Sequence, residues 1–282
     1  MTTITIWSES GGVGKTTTTL NLAAALSRQD QRVLIVDLDP QPASVTDHAG
    51  QSRHKTSASP NLRNVLLESA VELQDIIIPG ESFDIVPAHE DLATLEAAAR
   101  DSRMTMAEFL LKTELTTVEE NYDFVLIDPP ATLSLLVDNA LIASDHVLIP
   151  TELTPKGERS VSGVLDTVSA LETQLQRAQP DFELDVLGIL PNRVENSTVS
   201  RGVRDRLTAL DTPIIPLDVS DYNVFQKSWD SHMDIFEYAE TYGLRPYQES
   251  VLDAYEVLSQ YVIDETTDQS TEARTVTPPA DD

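Results

Sequence analysis

The chain contains no cysteine. Disulfides, thiolate metal sites, iron–sulfur clusters and cysteine nucleophiles are therefore excluded together. Lysine is nearly as scarce, with five in 282 residues, at positions 15, 55, 112, 156 and 227. Lysines and arginines total 19 against 47 acids, for a formal charge of −28. Such a balance offers no general attraction to nucleic acid or anionic lipid. The acids are dispersed rather than blocked, as on halophilic proteins held soluble by carboxylates over their whole surface. No apolar run reaches the ~18 residues that a membrane span requires. The N-terminal Thr3-Ile4-Thr5-Ile6-Trp7 enters a strand-like pattern with no basic segment before it. A secretory signal is not expected, and the chain reads as cytoplasmic.

Hydrophobic residues make up 40% of the chain, enough for one large α/β domain. Strand-like runs fall at Thr3–Trp7, Arg32–Asp37, Phe83–Pro87, Phe124–Asp128, His146–Pro150, Asp185–Leu190 and Pro213–Leu217. Several, such as Val33-Leu34-Ile35-Val36, are continuously apolar, as in strands buried on both faces. Helical patterns lie between them at Lys15–Arg28, Ser134–Ala143, Ser160–Ala178, Ser200–Leu210 and Gln248–Val262. Alternating β and α elements predict a doubly wound, mostly parallel sheet with helices on both faces. Gly50–Pro60 reads as a polar loop. Residues 264–282, with six acids, one arginine and two prolines, read as an acidic disordered tail behind a domain spanning 1–263.

The first strand leads into Gly11-Gly12-Val13-Gly14-Lys15-Thr16-Thr17 and then an Ala/Leu-rich helix. Glycines let backbone N–H groups converge on a phosphate, and the helix N-terminus adds its positive dipole end. Lys15 suits the β- and γ-phosphates and Thr16 suits Mg²⁺. The spacing is a deviant P-loop, because Glu9 stands where the first glycine belongs. Two further strands end in acids, at Asp37-Leu38-Asp39-Pro40-Gln41 and Asp128-Pro129-Pro130. In a parallel sheet all three strand ends share the ligand-binding edge. Asp37 and Asp128 can hold water around Mg²⁺, and Asp39 can orient an attacking water. ATP and Mg²⁺ are the expected cofactors.

Ser10–Thr17, Val36–Gln41 and Phe124–Pro130 resemble the ParA/MinD family of partitioning ATPases. Leu62–Leu67, Asp84–Leu92, Ser134–Leu141 and Gly188–Val194 extend the resemblance, which runs from about residue 3 to about 262. It implies that Lys15 and Thr16 serve phosphate and Mg²⁺ and that Thr17 touches the α-phosphate. It likewise implies that Asp39 orients the hydrolytic water while Asp37 and Asp128 support the metal. Asn192 would hydrogen-bond adenine, with Arg193, Pro216 and Leu217 near the base. One departure stands out: Ser10 replaces the family's signature lysine. Lys156 or Arg159 is a candidate substitute cation, and slow hydrolysis or a switch with little turnover are the other outcomes.

The resemblance also implies an ATP-dependent homodimer, a centromere-binding ParB-like partner and non-specific DNA binding. Arg193, Arg201, Arg204 and Arg206 cluster in a stretch with few other bases, and Arg201 and Arg204 share a helix face. They are the candidate DNA contacts. A MinD-like membrane helix needs basic residues, whereas Val262-Ile263-Asp264-Glu265 opens an acidic segment, so no membrane binding is expected. The leading expectation is an ATP-hydrolysing switch that partitions or positions DNA. The alternatives are a nucleotide-dependent regulatory module, a MinD-like positioning ATPase, and a metabolic amide ligase on the same scaffold.

Overall fold

The computed structural model describes residues 1–57, 60–68, 70–195, 197–220 and 223–274. Six strands form one sheet: β1 (Thr2–Ile6), β2 (Val33–Asp37), β3 (Asp84–Val86), β4 (Phe124–Asp128), β5 (His146–Thr151) and β6 (Asp185–Pro191). Their order is β3-β2-β4-β1-β5-β6, and every pairing between them is parallel. Asp37 and Asp128 are direct register partners at the carboxyl ends of β2 and β4. β1 lies between β4 and β5, so the loop that follows it emerges beside Asp128.

The connections carry α1 (Lys15–Ser27), α2 (Val45–His48), α3 (Leu62–Leu67), α4 (Leu95–Asp101), α5 (Leu110–Leu115) and α6 (Leu135–Ala143). Then come α7 (Pro155–Leu175), α8 (Thr198–Thr208), α9 (Asn223–Asp230), α10 (Ile235–Tyr242) and α11 (Ser250–Arg274). Alternation along the strands divides the core between the two faces of the sheet. Ile4, Ile6, Ile35 and Leu126 pack with α1, α9, α10 and α11, through Leu20, Leu26, Val224, Phe236, Tyr255 and Leu258. Leu34, Val36, Val125 and Ile127 pack with Leu62, Leu95, Leu111 and Leu136 from α3 to α6. A third cluster joins Val147 and Ile149 of β5 to Val161 and Val164 of α7. Among the described residues no helix is long and apolar enough to cross a membrane.

Three expectations change. Pro213–Leu217 is not a strand but touches β6 at an isolated bridge, Ile189 to Ile214. Pro213 and Pro216 have no N–H to give, so the pairing is interrupted after Ile215 and resumes only at Val219, whose N–H donates to the Pro191 carbonyl. Helix α7 begins at Pro155 rather than Ser160, because Thr154 caps it by accepting from Gly157 N–H at 3.1 Å and Pro155 suits the first helical turn. Helix α11 continues through Arg274, past the boundary at 263 where an unstructured tail was expected. Thr266 and Thr267 lie within it and return their hydroxyls to the carbonyls of Val262 and Ile263. Residues 275–282, the rest of that expected tail, lie outside the described residues.

Candidate functional site

The loop between β1 and α1 combines two left-handed glycines, Gly12 at φ 79° and Gly14 at φ 92°. Side chains rarely adopt that region. At Gly14 space forbids one as well, since a Cβ would meet Asn192 Nδ2 at 2.2 Å. Asn192 instead reaches over Gly14 to donate to the Val13 carbonyl at 2.8 Å, and Arg193 donates to the Gly12 carbonyl at 3.0 Å. The tip of β6 is thereby fastened to the loop. Among the described residues the backbone N–H groups of Gly11 through Thr17 find no acceptor within the chain. A turn of unpaired donors at a helix N-terminus fits a bound phosphate.

Lys15 is 9% exposed and donates to the Ser10 carbonyl at 3.1 Å. Burial lowers its pKa, while the carboxylates of Asp128 and Asp39 oppose that shift. Thr16 Oγ1 donates to Asp128 Oδ2 at 2.8 Å, and Thr19 Oγ1 approaches Asp128 Oδ1 at 3.3 Å. Burial and the neighbouring Asp37 push the Asp128 carboxyl well above the usual range. An added cation would relieve both causes. Thr16 and Asp128 thus supply the hard oxygen donors that suit Mg²⁺.

Asp37 is engaged from several sides by the loop that follows it. Its Oδ2 accepts from Ser44 Oγ at 2.5 Å, Thr46 N–H at 2.8 Å and Thr46 Oγ1 at 2.6 Å. Its Oδ1 accepts from Asp39 N–H at 3.0 Å. Three of the four donors converge on Oδ2, and Oδ1 takes one. Asp37 therefore holds the loop from Asp39 to Thr46. Asp39 accepts from Gln41 N–H at 2.9 Å. Burial raises its pKa, against the Gln41 amide and the ammoniums of Lys55 and Lys15.

A cavity of about 380 Å³ adjoins this loop, lined by Gly12, Gly14, Thr17, Asn192, Arg193 and four residues of α9. Those four are Asn223, Phe225, Gln226 and Trp229. Pro216 and Leu217 do not line it: Pro216 is exposed and Leu217 packs against the core. Nothing in a short polar-aromatic stretch such as Asn223–Asp230 marks it in sequence as a cavity wall. Its amphipathic helix becomes recognisable only once α9 packs beside the phosphate loop.

Trp229 also stacks on His48 of α2, with ring centroids 4.3 Å apart. His48 Nε2 lies 3.1 Å from the Met233 carbonyl, which can only accept, so a neutral ring carries its proton on Nε2. Burial pulls its pKa down to about 4. The unfolded chain therefore binds more protons between pH 6.5 and about 4, and stability present above that window is lost as pH falls through it. The loss is at most ~1.4 kcal/mol per pH unit. A His48→Gln chain should be less stable at pH 7, with the gap to wild type closing by pH 4.5 in urea midpoints.

Ser10 is buried, and its N–H donates to Ser160 Oγ at 3.1 Å. Ser8 Oγ lies 3.0 Å from the same hydroxyl. Helix α7 is therefore the element that touches position 10, and Lys156 and Arg159 are exposed in its first turns. Gly163 leaves room for Glu9, whose carboxylate oxygen lies 2.3 Å from where a Cβ would stand.

The arginines proposed for DNA are largely engaged. Arg206 makes two 2.7 Å bonds to Glu158, Arg204 pairs with Asp218, and Arg193 lies 3.5 Å from Glu152. Arg201 is exposed and has no acidic partner among the described residues. The acid-rich surface, not visible from the local arginine spacing, takes up most of this charge.

A strand–loop–helix with unpaired N–H groups, a buried lysine and two strand-end carboxylates define a P-loop nucleotide site. A family model described as an AAA domain matches residues 1–182. The Bacillus subtilis sporulation initiation inhibitor protein Soj is 38% identical over 199 residues, covering 69% of this chain and 74% of Soj. An uncharacterized Mycobacterium tuberculosis protein is 37% identical over 207 residues, 72% of this chain but 62% of that protein's length. McdA of Cyanothece superposes with a TM-score of 0.75 at 26% identity, covering 92% of this chain and 99% of McdA. Cobyrinic acid a,c-diamide synthase of Mycobacterium smegmatis, solved with ADP and magnesium, superposes at 0.69 with 30% identity, covering 86% and 97%. The chain belongs to the ParA/MinD-like family of P-loop partitioning ATPases.

Proposed function

We propose that the chain binds ATP·Mg²⁺ and hydrolyses it slowly as a switch that partitions or positions DNA or another cargo. The observation that carries this is the convergence of Lys15, Thr16, Asp39 and Asp128 on a loop of unpaired N–H groups. Lys15 would serve the phosphates, and Thr16 and Asp128 would hold the metal. Magnesium supplies charge neutralisation at the terminal phosphate. Asp39 orients water, and Asn192 and Arg193 with α9 close the base side. An ATP-dependent homodimer, a ParB-like centromere-binding partner and DNA contact are the finer parts of the reading and follow from the family resemblance, while the names of relatives support the chromosome-partitioning role. The pairing of Arg204 and Arg206 argues against α8 as the main DNA contact.

The chain has two tryptophans: Trp7 is fully buried and Trp229 lines the cavity. MgATP should therefore change the fluorescence of a Trp7→Phe chain. Asp39→Ala should lower kcat at least ~100-fold with Kd nearly unchanged, as loss of a water-orienting group does. Equal turnover in Asp39→Ala and wild type would remove Asp39 from the reading. Light scattering that gives a monomer with ATP at both low and molar KCl would remove the dimer. The 30% identity to a diamide synthase supports a second reading, an amide ligase. ATP turnover that appears only with an added carboxylic acid substrate would favour it.

A further inference from the structure

Lys55 lies in the short 3-10 turn Ser52–Thr56, inside a stretch that reads as a polar loop, yet it is 7% exposed. Its Nζ donates to Ser44 Oγ at 2.9 Å, Asp47 Oδ2 at 3.0 Å and the Gln41 carbonyl, and lies 3.5 Å from the Asp39 carbonyl. Taking an ammonium out of water is costly and is offset only by good geometry and satisfied protons. Among the described residues every hydrogen-bond acceptor of this ammonium belongs to residues 39–47. The same nine-residue segment is tied from below to Asp37 through Ser44 Oγ and Thr46. Asp47 adds a third tie by accepting from the N–H groups of Ala43 and Ser44. Among the described residues the Asp39 carboxylate has a single hydrogen bond, from Gln41 N–H. Its direction is therefore set by the backbone of 39–41, and the carbonyls of that backbone face the Lys55 ammonium.

We propose that Lys55 is a positioning residue: it clamps the carbonyls of Asp39 and Gln41 and so aims the Asp39 carboxylate across the phosphate loop. This rests on the ATPase reading above for its effect on turnover, but not for the clamp itself. An ion pair kept only for stability would need one carboxylate. Lys55 instead gathers a carboxylate, a hydroxyl and two carbonyls from the one segment that carries Asp39. Because the clamp touches neither the P-loop nor the cavity wall, it acts on turnover rather than on nucleotide affinity.

The test uses the full chain with Lys55→Met, and Lys55→Gln as a second variant should the first fold poorly. In nucleotide-free protein, amide hydrogen exchange in peptides covering 39–47 should quicken ~10-fold or more, as local opening becomes easier, while peptides of β1 and α1 stay unchanged. With MgATP, kcat should fall ~10-fold or more while Kd stays within ~3-fold, a split typical of lost transition-state geometry. In an Asp39→Ala background, Lys55→Met should add no further loss, because residues acting as one unit are not additive. Unchanged exchange in 39–47 overturns the clamp whatever the ATPase result. Parallel loss of Kd and kcat, or full additivity with Asp39→Ala, overturns the positioning role. Absent turnover in wild type would instead defeat the ATPase reading and leave the exchange result to decide the clamp.

Discussion

Lys15→Ala is expected to weaken MgATP binding at least ~100-fold, because charge-assisted bonds from its ammonium to phosphate would be worth ~1.5–3 kcal/mol each. The structure shows why no neighbour can take its place. Lys15 is buried, its ammonium already lies against the Ser10 carbonyl, and the acids Asp128 and Asp39 are the charged groups acting on it. Lys15→Arg should not restore binding, since a planar fork does not fit a site built for a compact charge. Calorimetric titration of both variants checks this. Binding within ~5-fold of wild type, against the charge-assisted bonds invoked here, would move the phosphate site away from the loop.

Asp37→Ala is expected to cost ~3–5 kcal/mol of stability, since removing one side of a buried polar network orphans the rest. Four donors lose their acceptor: Ser44 Oγ, Thr46 Oγ1, Thr46 N–H and Asp39 N–H. Asp37 is fully buried, so water cannot replace it. For a domain of this size the melting temperature should fall by roughly 10 °C. Ser44→Ala removes one donor to Asp37 and one acceptor of Lys55 but leaves the carboxylate in place, so it should cost less, ~1–3 kcal/mol. If Asp37→Ala melted within a degree or two of wild type, the carboxylate would not be what holds the 39–46 loop. This result also bears on the Lys55 clamp, because Ser44 Oγ accepts from Lys55 while donating to Asp37.

Much of the site was legible because it is local. β2 and β4 are continuous apolar runs that end in aspartate, and the phosphate loop and α1 are contiguous in sequence. Asp37, Asp39 and Asp128 were recognisable because parallel pairing forces strand ends onto one edge, and the observed Asp37–Asp128 register follows from that. The segment after β6 was less legible. Two prolines break what hydropathy suggests is a strand, and α9 and α10 are only 8 residues long each.

The sequence by itself determined the alternation of elements, the glycines that need φ > 0 and the acids at strand ends, because each depends on residues a few positions apart. Only the tertiary structure decided where charges and cavities fall. Lys55 is an ordinary loop lysine until folding buries it against residues 39–47. Arg204 and Arg206 form a basic patch along α8 until Asp218 and Glu158, 14 and 48 residues away, neutralise them. The cavity beside the phosphate loop is walled by α9 and not by Pro216 and Leu217, because packing, not spacing, brings Trp229 to the same cavity as Gly14. Hydrogen bonds and ion pairs of this range cost no less to leave unmade than local ones, but nothing in a run of neighbouring residues records their partners.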